Sequence, residues 1–172
     1  MTIVSMLRRT TGAVTVLLGT ACQTAAPPDY AAQHKPAVDA EVAAWNTGNV
    51  DGLDAVMSTS VRRVAAGFPT TETIADFKKT VTDFRTAYPD AKLVIDEIHS
   101  MDGVSVSRWT FTGTNTGPGT APPTGKSVKV SGLTQVKYEG GKVVEEVVDF
   151  DTADWYTQLG FTMTPPKAKA SK

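Results

Sequence analysis

Apolar residues recur along this chain with two different periods, and the point where the period changes divides it. The first half is helical in spacing. Pro36 suits the first turn of a helix, where its missing N–H is not needed. From there Val38, Val42 and Trp45 fall three or four apart until Gly48 ends the run. Asp51 is placed to cap a second, short helix through Leu53, Val56 and Met57. Val61 to Ala66 reads as a short strand, with Arg62-Arg63 as its solvated edge. The clearest helix runs from Thr73 to Tyr88. Ile74, Phe77, Val81, Phe84 and Tyr88 form one apolar stripe, better explained as core than as a ligand site. Pro89 stops it.

After Pro89 the pattern becomes strand-like. Lys92 to Met101 and Val104 to Thr114 make a hairpin around Asp102-Gly103. A polar loop from Asn115 to Gly125 leads to a third strand, Ser127 to Tyr138, in which Val128, Val130, Val136 and Tyr138 share a face. Gly140-Gly141 turns the chain into a closing strand. Strict alternation there puts Val144, Val148 and Phe150 on one face and Val143, Val147, Asp149 and Asp151 on the other. Thr152 to Leu159 reads as a short helix closed by Gly160. Helices first and then a four-strand antiparallel meander imply an α+β domain with the helices on one face of the sheet. Two partly apolar faces suggest that the other face meets a partner, a second copy of the chain.

Composition adds limits. A chain of 172 residues with 41% hydrophobic and 20% charged residues supports one globular domain. The net charge of -1, without a basic stripe, argues against nucleic acid as a partner. Arg8-Arg9, the apolar stretch Ala13 to Leu18 and Gly19-Thr20-Ala21-Cys22 outline an export signal over residues 1–22. Cys22, the single cysteine, stands where a bacterial lipoprotein is lipidated, although Gly19 replaces the usual Leu; ordinary cleavage is the alternative. The expected protein is thus exported, in the cell envelope, periplasm or medium, and touches membrane only through a lipid on Cys22. Residues 23–33 read as a linker, 34–162 as the domain and 163–172 as a disordered tail. Two separated His and one leader Cys make no zinc cluster, and no Gly-x-Ser-x-Gly elbow or phosphate loop is present.

A set of motifs in order carries a resemblance. Tyr88-Pro89-Asp90 ends the long helix. Asp102-Gly103-Val104-Ser105-Val106-Ser107-Arg108-Trp109-Thr110 opens the second long strand, which ends in Thr110-Phe111-Thr112-Gly113-Thr114-Asn115-Thr116-Gly117. Pro122-Pro123-Thr124-Gly125-Lys126 precedes the third, and Gly141-Lys142-Val143-Val144-Glu145-Glu146, Asp151 and Gln158-Leu159-Gly160 close the domain. From about Val38 to Phe161 the chain resembles the SnoaL-like polyketide cyclases, or ester cyclases, of the nuclear transport factor two-like superfamily. The resemblance implies an α+β cone, in which a curved antiparallel sheet wraps around N-terminal helices and leaves an apolar pocket. It also implies a homodimer packed through the sheet, and ring closure by intramolecular aldol condensation on a small apolar carbonyl compound, without metal or organic cofactor.

By position, the resemblance puts the acid/base role on Asp151. The family's accompanying His is Asn115 here, which can donate or accept a hydrogen bond but not take a proton near neutral pH. Arg108 matches an Arg common in the second long strand. An aldol step needs a base stronger than a solvated carboxylate with a pKa of about 4, and burial raises that value. The expected site is therefore Asp151 as the acid/base, with Asn115, Arg108, Asp149 and Trp109 around the substrate. Each has a plain structural alternative: Asp151 as a helix cap, Asp149 and Arg108 in ion pairs, Asn115 in a turn and Trp109 in the core. His99 reads as an edge residue and His34 as solvated. A non-catalytic binding or assembly module of the same fold is the competing reading of the whole chain.

Overall fold

The first helix begins earlier than its apolar steps suggest. In a computed structural model that describes residues 26–119 and 122–164, α1 spans Tyr30–Thr47 and Pro36 lies inside it. Asp29 sets the start by accepting a hydrogen bond from the Ala32 amide at 3.0 Å. Residues 30–33, expected in the linker, are therefore helical. The expected export signal, Cys22 and nearly all of the tail lie outside the described residues. Among the described residues no helix is long and apolar enough to cross a membrane.

The short helix α2 (Leu53–Val56) has Gly52 rather than Asp51 at its N-cap. The Asp51 amide is held instead by Asn49 Oδ1 at 3.0 Å. Strand β1 (Met57–Ala65) follows directly. Helix α3 (Ile74–Ala87) starts at Thr73, whose hydroxyl accepts from the Asp76 amide. Then come β2 (Lys92–Met101), β3 (Val104–Thr114), β4 (Ser127–Glu139), β5 (Lys142–Phe150) and α4 (Thr152–Gln158).

The five strands make one sheet in the order β1-β5-β4-β3-β2. The meander β2 to β5 is antiparallel as expected, and β1 adds to its far edge parallel to β5. The helices cover one face. Near α1 and α3 the core holds Leu53, Val61, Phe77, Val81 and Val143. Toward α4 it holds Trp109, Phe111, Val128, Val130 and Trp155.

One irregularity changes which residues of β5 face this core. Tyr138 pairs with Val143 and Lys137 with Glu145, so Val144 is an extra residue in the strand. The bulge reverses the alternation after Val143. Val143, Glu146 and Val148 are buried, while Asp149 is exposed. The expected grouping of Val143 with Val147 and Asp149 is corrected by this single residue, which also turns Glu146 inward.

Gly132 marks a second constraint. The Trp109 indole lies across β4, and a Cβ at Gly132 would sit 2.4 Å from Trp109 Cζ2 and 2.6 Å from the Asp149 carbonyl oxygen. Backbone on one side leaves little room to adjust. Gly132→Ala is expected to cost roughly 1–3 kcal/mol, the range for overpacking a tight site. A urea midpoint equal to wild type would show that Trp109 is free to move.

Candidate active site

Between the helices and the concave face of the sheet lies a cavity of about 120 Å³. Cavities of roughly 150 Å³ hold benzene, so the space suits a small ring. One end is aromatic: Phe84, Phe111, Phe150 and Trp155 line it, with Phe111 stacked on Trp155 at 5.2 Å. The other end is charged. Glu41, Arg63 and Glu146 all face the space.

Each charged residue arrives by the geometry of its element. On α1, Glu41 falls in the same stripe as Val38, Val42 and Trp45, one turn apart. On β1, Arg63 shares the inward face with Val61 and Ala65, which are buried. On β5, Glu146 is turned in by the bulge. The parallel register pairs Arg63 directly with Glu146. Arg63 Nε lies 3.2 Å from Glu146 Oε2, with side chains 12% and 3% exposed. The same register pairs Arg62 with Glu145 on the solvent side at 3.3 Å. The Arg63 guanidinium also sits over the Trp45 ring at 5.3 Å.

Burial holds the Glu41 carboxyl well above its ordinary pKa, and the neighbouring Glu146 raises it further; Arg63 opposes the shift without reversing it. The shift favours the protonated form of Glu41, while Glu146 is the partner of Arg63. Beside them, the buried Tyr138 hydroxyl meets Ser105 Oγ at 3.0 Å, and burial pushes its pKa up to about 12. His34 is buried and stacks on Tyr138 at 3.8 Å, not solvated as expected. Desolvation lowers its pKa. In the cavity wall, Trp109 Nε1 donates to Thr134 Oγ1 at 2.9 Å. Among the described residues no group of three His, Cys, Asp or Glu is placed to hold a metal ion.

Of the five expected site residues, the structure brings only Trp109 to the cavity. Asp151 is exposed, and its carboxylate accepts from the Asp154 amide at 2.8 Å as the N-cap of α4. Its place just beyond the last inward residue of β5, with the helix turning away behind it, keeps it out of the apolar space. Asp149 is on the solvent face opposite Leu133. Arg108 is also outward, 3.8 Å from Asp96 and 3.7 Å from Glu97. Asn115 is buried but works in the loop: its side chain accepts from the Thr124 amide at 2.9 Å and its backbone bonds Lys126 and Gly125. His99 is exposed beside Glu97.

The model for SnoaL-like polyketide cyclases matches residues 35–159 of this sequence. The chain belongs to that family. Solved structures agree on the fold. TsrD from Streptomyces laurentii is 22% identical, with 75% of this chain and 96% of that chain covered and a TM-score of 0.68. A Jannaschia sp. CCS1 protein assigned to the SnoaL-like polyketide cyclases is 18% identical, covering 83% and 99%, with a TM-score of 0.71. An M. tuberculosis epoxide hydrolase of the LEH-like type is 16% identical, covering 77% and 92%, with a TM-score of 0.61. No curated protein sequence matches. The α+β architecture of the family, a curved sheet around helices with an apolar pocket, is the architecture of this chain.

The raised Glu41 pKa has a signed consequence. The folded state holds this proton more tightly than the unfolded chain does. Its contribution to stability is complete below the ordinary value of 4.5 and is lost as pH rises through the folded-state pKa. Glu41→Gln removes that dependence. The urea midpoint of Glu41→Gln should therefore gain on wild type as pH is raised above 4.5. A difference that stays constant with pH would contradict a protonated Glu41.

Proposed function

We propose that this chain is an exported, cofactor-independent cyclase or isomerase acting on a small apolar carbonyl compound, with the Glu41–Glu146 pair as its proton-transfer groups. The observation that supports this is the pair itself: Glu146, held by Arg63 at 3.2 Å, stands beside Glu41, whose pKa burial raises, at the charged end of an otherwise apolar cavity. Paired carboxyls in different states are what acid and base work on one substrate requires.

The step balances without any other reactant. Glu146 takes a proton from the carbon next to the carbonyl while Glu41 gives its proton to the carbonyl oxygen, leaving an enol. In an isomerase the enol is conjugated with a second double bond: Glu146 returns the proton to the far carbon of that system while the enol O–H goes back to Glu41, which restores both groups. In a cyclase the enol carbon attacks a second carbonyl of the same molecule, and one C–C bond forms as the C=C and the second C=O π bonds are lost. Glu146 gives its proton to the new alkoxide, and the enol O–H proton returns to Glu41. Arg63 fixes Glu146 and offsets its charge. The acid/base function expected at Asp151 moves to this pair, and Asp151 serves the helix.

The general test needs no knowledge of the natural substrate. Purified mature domain is incubated with acetophenone in heavy water, and exchange of the protons next to the carbonyl is followed by NMR. Wild type is expected to accelerate exchange. Glu146→Gln and Glu41→Gln should each reduce the acceleration by about 100-fold or more, the scale of general acid–base catalysis. Asp151→Asn, which keeps a capping side chain, should leave it intact. A rate lost with Asp151→Asn and kept with Glu146→Gln would overturn the assignment. No acceleration by wild type would favour a binding module.

The outer face of the sheet exposes Val94 and Leu133, 41% and 51% accessible. We take this face as the contact of a homodimer. Leu133→Glu should convert a dimer to a monomer in light scattering, and a wild-type monomer at micromolar concentration would remove the dimer from the reading.

A further inference from the structure

The cavity wall contains a second polar place, separate from the carboxyl pair. On β3 the inward positions are Ser105, Ser107, Trp109 and Phe111, all buried. Ser105 is satisfied by the Tyr138 hydroxyl. Ser107, 8% exposed and lining the cavity, has no side-chain hydrogen bond to protein among the described residues. Directly across the ladder from it is Thr134, which lines the same space. Cross-strand neighbours in an antiparallel pair present their side chains on the same face, so the two hydroxyls sit side by side.

Trp109 sets the direction of this pair. Its indole Nε1 can only donate, and it donates to Thr134 Oγ1. The Thr134 oxygen is thereby used as an acceptor, and its own hydrogen remains to be donated. Gly132 is what allows the indole to lie in this position, because any Cβ there would meet it. The Ser107 hydroxyl opens onto the cavity, so whatever fills that space, water included, can bond it.

We propose that Ser107 and Thr134 form an oxygen-binding subsite, and that the ligand is an apolar-bodied compound carrying a second oxygen function away from the carbonyl that meets Glu41. This rests on the reading of the cavity as the substrate site. It narrows the substrate class to compounds with two separated oxygens, one at the proton-transfer end and one at the hydroxyl pair. A purely hydrocarbon-bodied ketone would leave Ser107 and Thr134 unused.

All three tryptophans of the chain, Trp45, Trp109 and Trp155, line the cavity, so their fluorescence reports occupancy. The probes are 3-hydroxyacetophenone and 4-hydroxyacetophenone, each compared with the methyl compound of the same substitution. This holds size nearly constant and changes only the oxygen. Wild type should bind at least one hydroxy probe about five- to tenfold more tightly than its methyl partner, the scale of one or two neutral hydrogen bonds. Ser107→Ala with Thr134→Val should bring that ratio to about one, and Ser107→Ala alone should lower it by several fold. Thr134→Ser, which keeps both the acceptor for Trp109 and the donor, should retain it. A wild-type ratio of one for both pairs, including failure of every probe to bind, overturns the proposal and leaves the hydroxyls to water. So does a preference that survives the double substitution. The outcome is distinct from that of proton exchange on acetophenone: a lost preference with exchange intact removes the subsite only, and a preference without exchange removes the chemistry only.

Discussion

One guanidinium and two carboxyls share the end of an apolar cavity, and much of the molecule is arranged around that fact. Three full charges in such a place would be costly to desolvate. The ion pair of Arg63 with Glu146 takes up one positive and one negative charge at 3.2 Å. The remaining carboxyl, Glu41, lowers the cost by holding its proton more tightly than a solvated carboxyl does. That bias follows from burial and the neighbouring Glu146, before any substrate is considered. The bulge at Val144, the parallel docking of β1 on β5 and the stripe of α1 are the three structural conditions that bring these groups together.

The aromatic end of the cavity completes the arrangement. Phe84, Phe111, Phe150 and Trp155 contact one another at centroid distances between 5.2 and 5.8 Å. They give the space apolar walls. Arg63 is itself covered by Trp45 and Phe77. The cavity therefore has direction: a flat apolar body fits one end and a polar atom the other.

Most of the fold is readable from local signals, because those signals agree with one another. Helix α3 has an unbroken stripe, a capping Thr73 and a stopping Pro89, and its bounds match. The β2–β3 hairpin is marked by Asp102-Gly103, where Gly103 takes a positive φ of 64°. The motifs that resemble the SnoaL-like family led to the right fold. What local signals lack is the partner of β1, since a parallel neighbour is not announced by a turn. They also lack the bulge at Val144, which leaves the residue types of β5 unchanged but reverses their faces. The meeting of Arg63 with Glu146 falls in both gaps. Arg62-Arg63 and Glu145-Glu146 look like solvated doublets, yet on a strand one member of each doublet must point the other way. The two pairs meet in register, Arg62 with Glu145 outside and Arg63 with Glu146 inside. Glu41 carried the one available hint, an acid set within an apolar helical stripe. Asp151 drew attention through its position near the family's closing motif, and its environment is that of a cap.

The parallel pairing of β1 with β5 has a consequence for how the chain folds. β1 precedes the long helix and the hairpin, and β5 is the last strand to be made. Their contact closes the stretch from α3 to β4 into one long loop, and such long-range closure is the slow, entropically demanding kind of contact. Until it forms, Arg63 and Glu41 are without Glu146, so the charged end of the cavity is complete only once β1 has docked on β5. A chain ending before β5 would lack Glu146 at the charged end and Phe150 and Trp155 at the aromatic end. Docking of β1 on β5 therefore completes both the sheet and its charged centre.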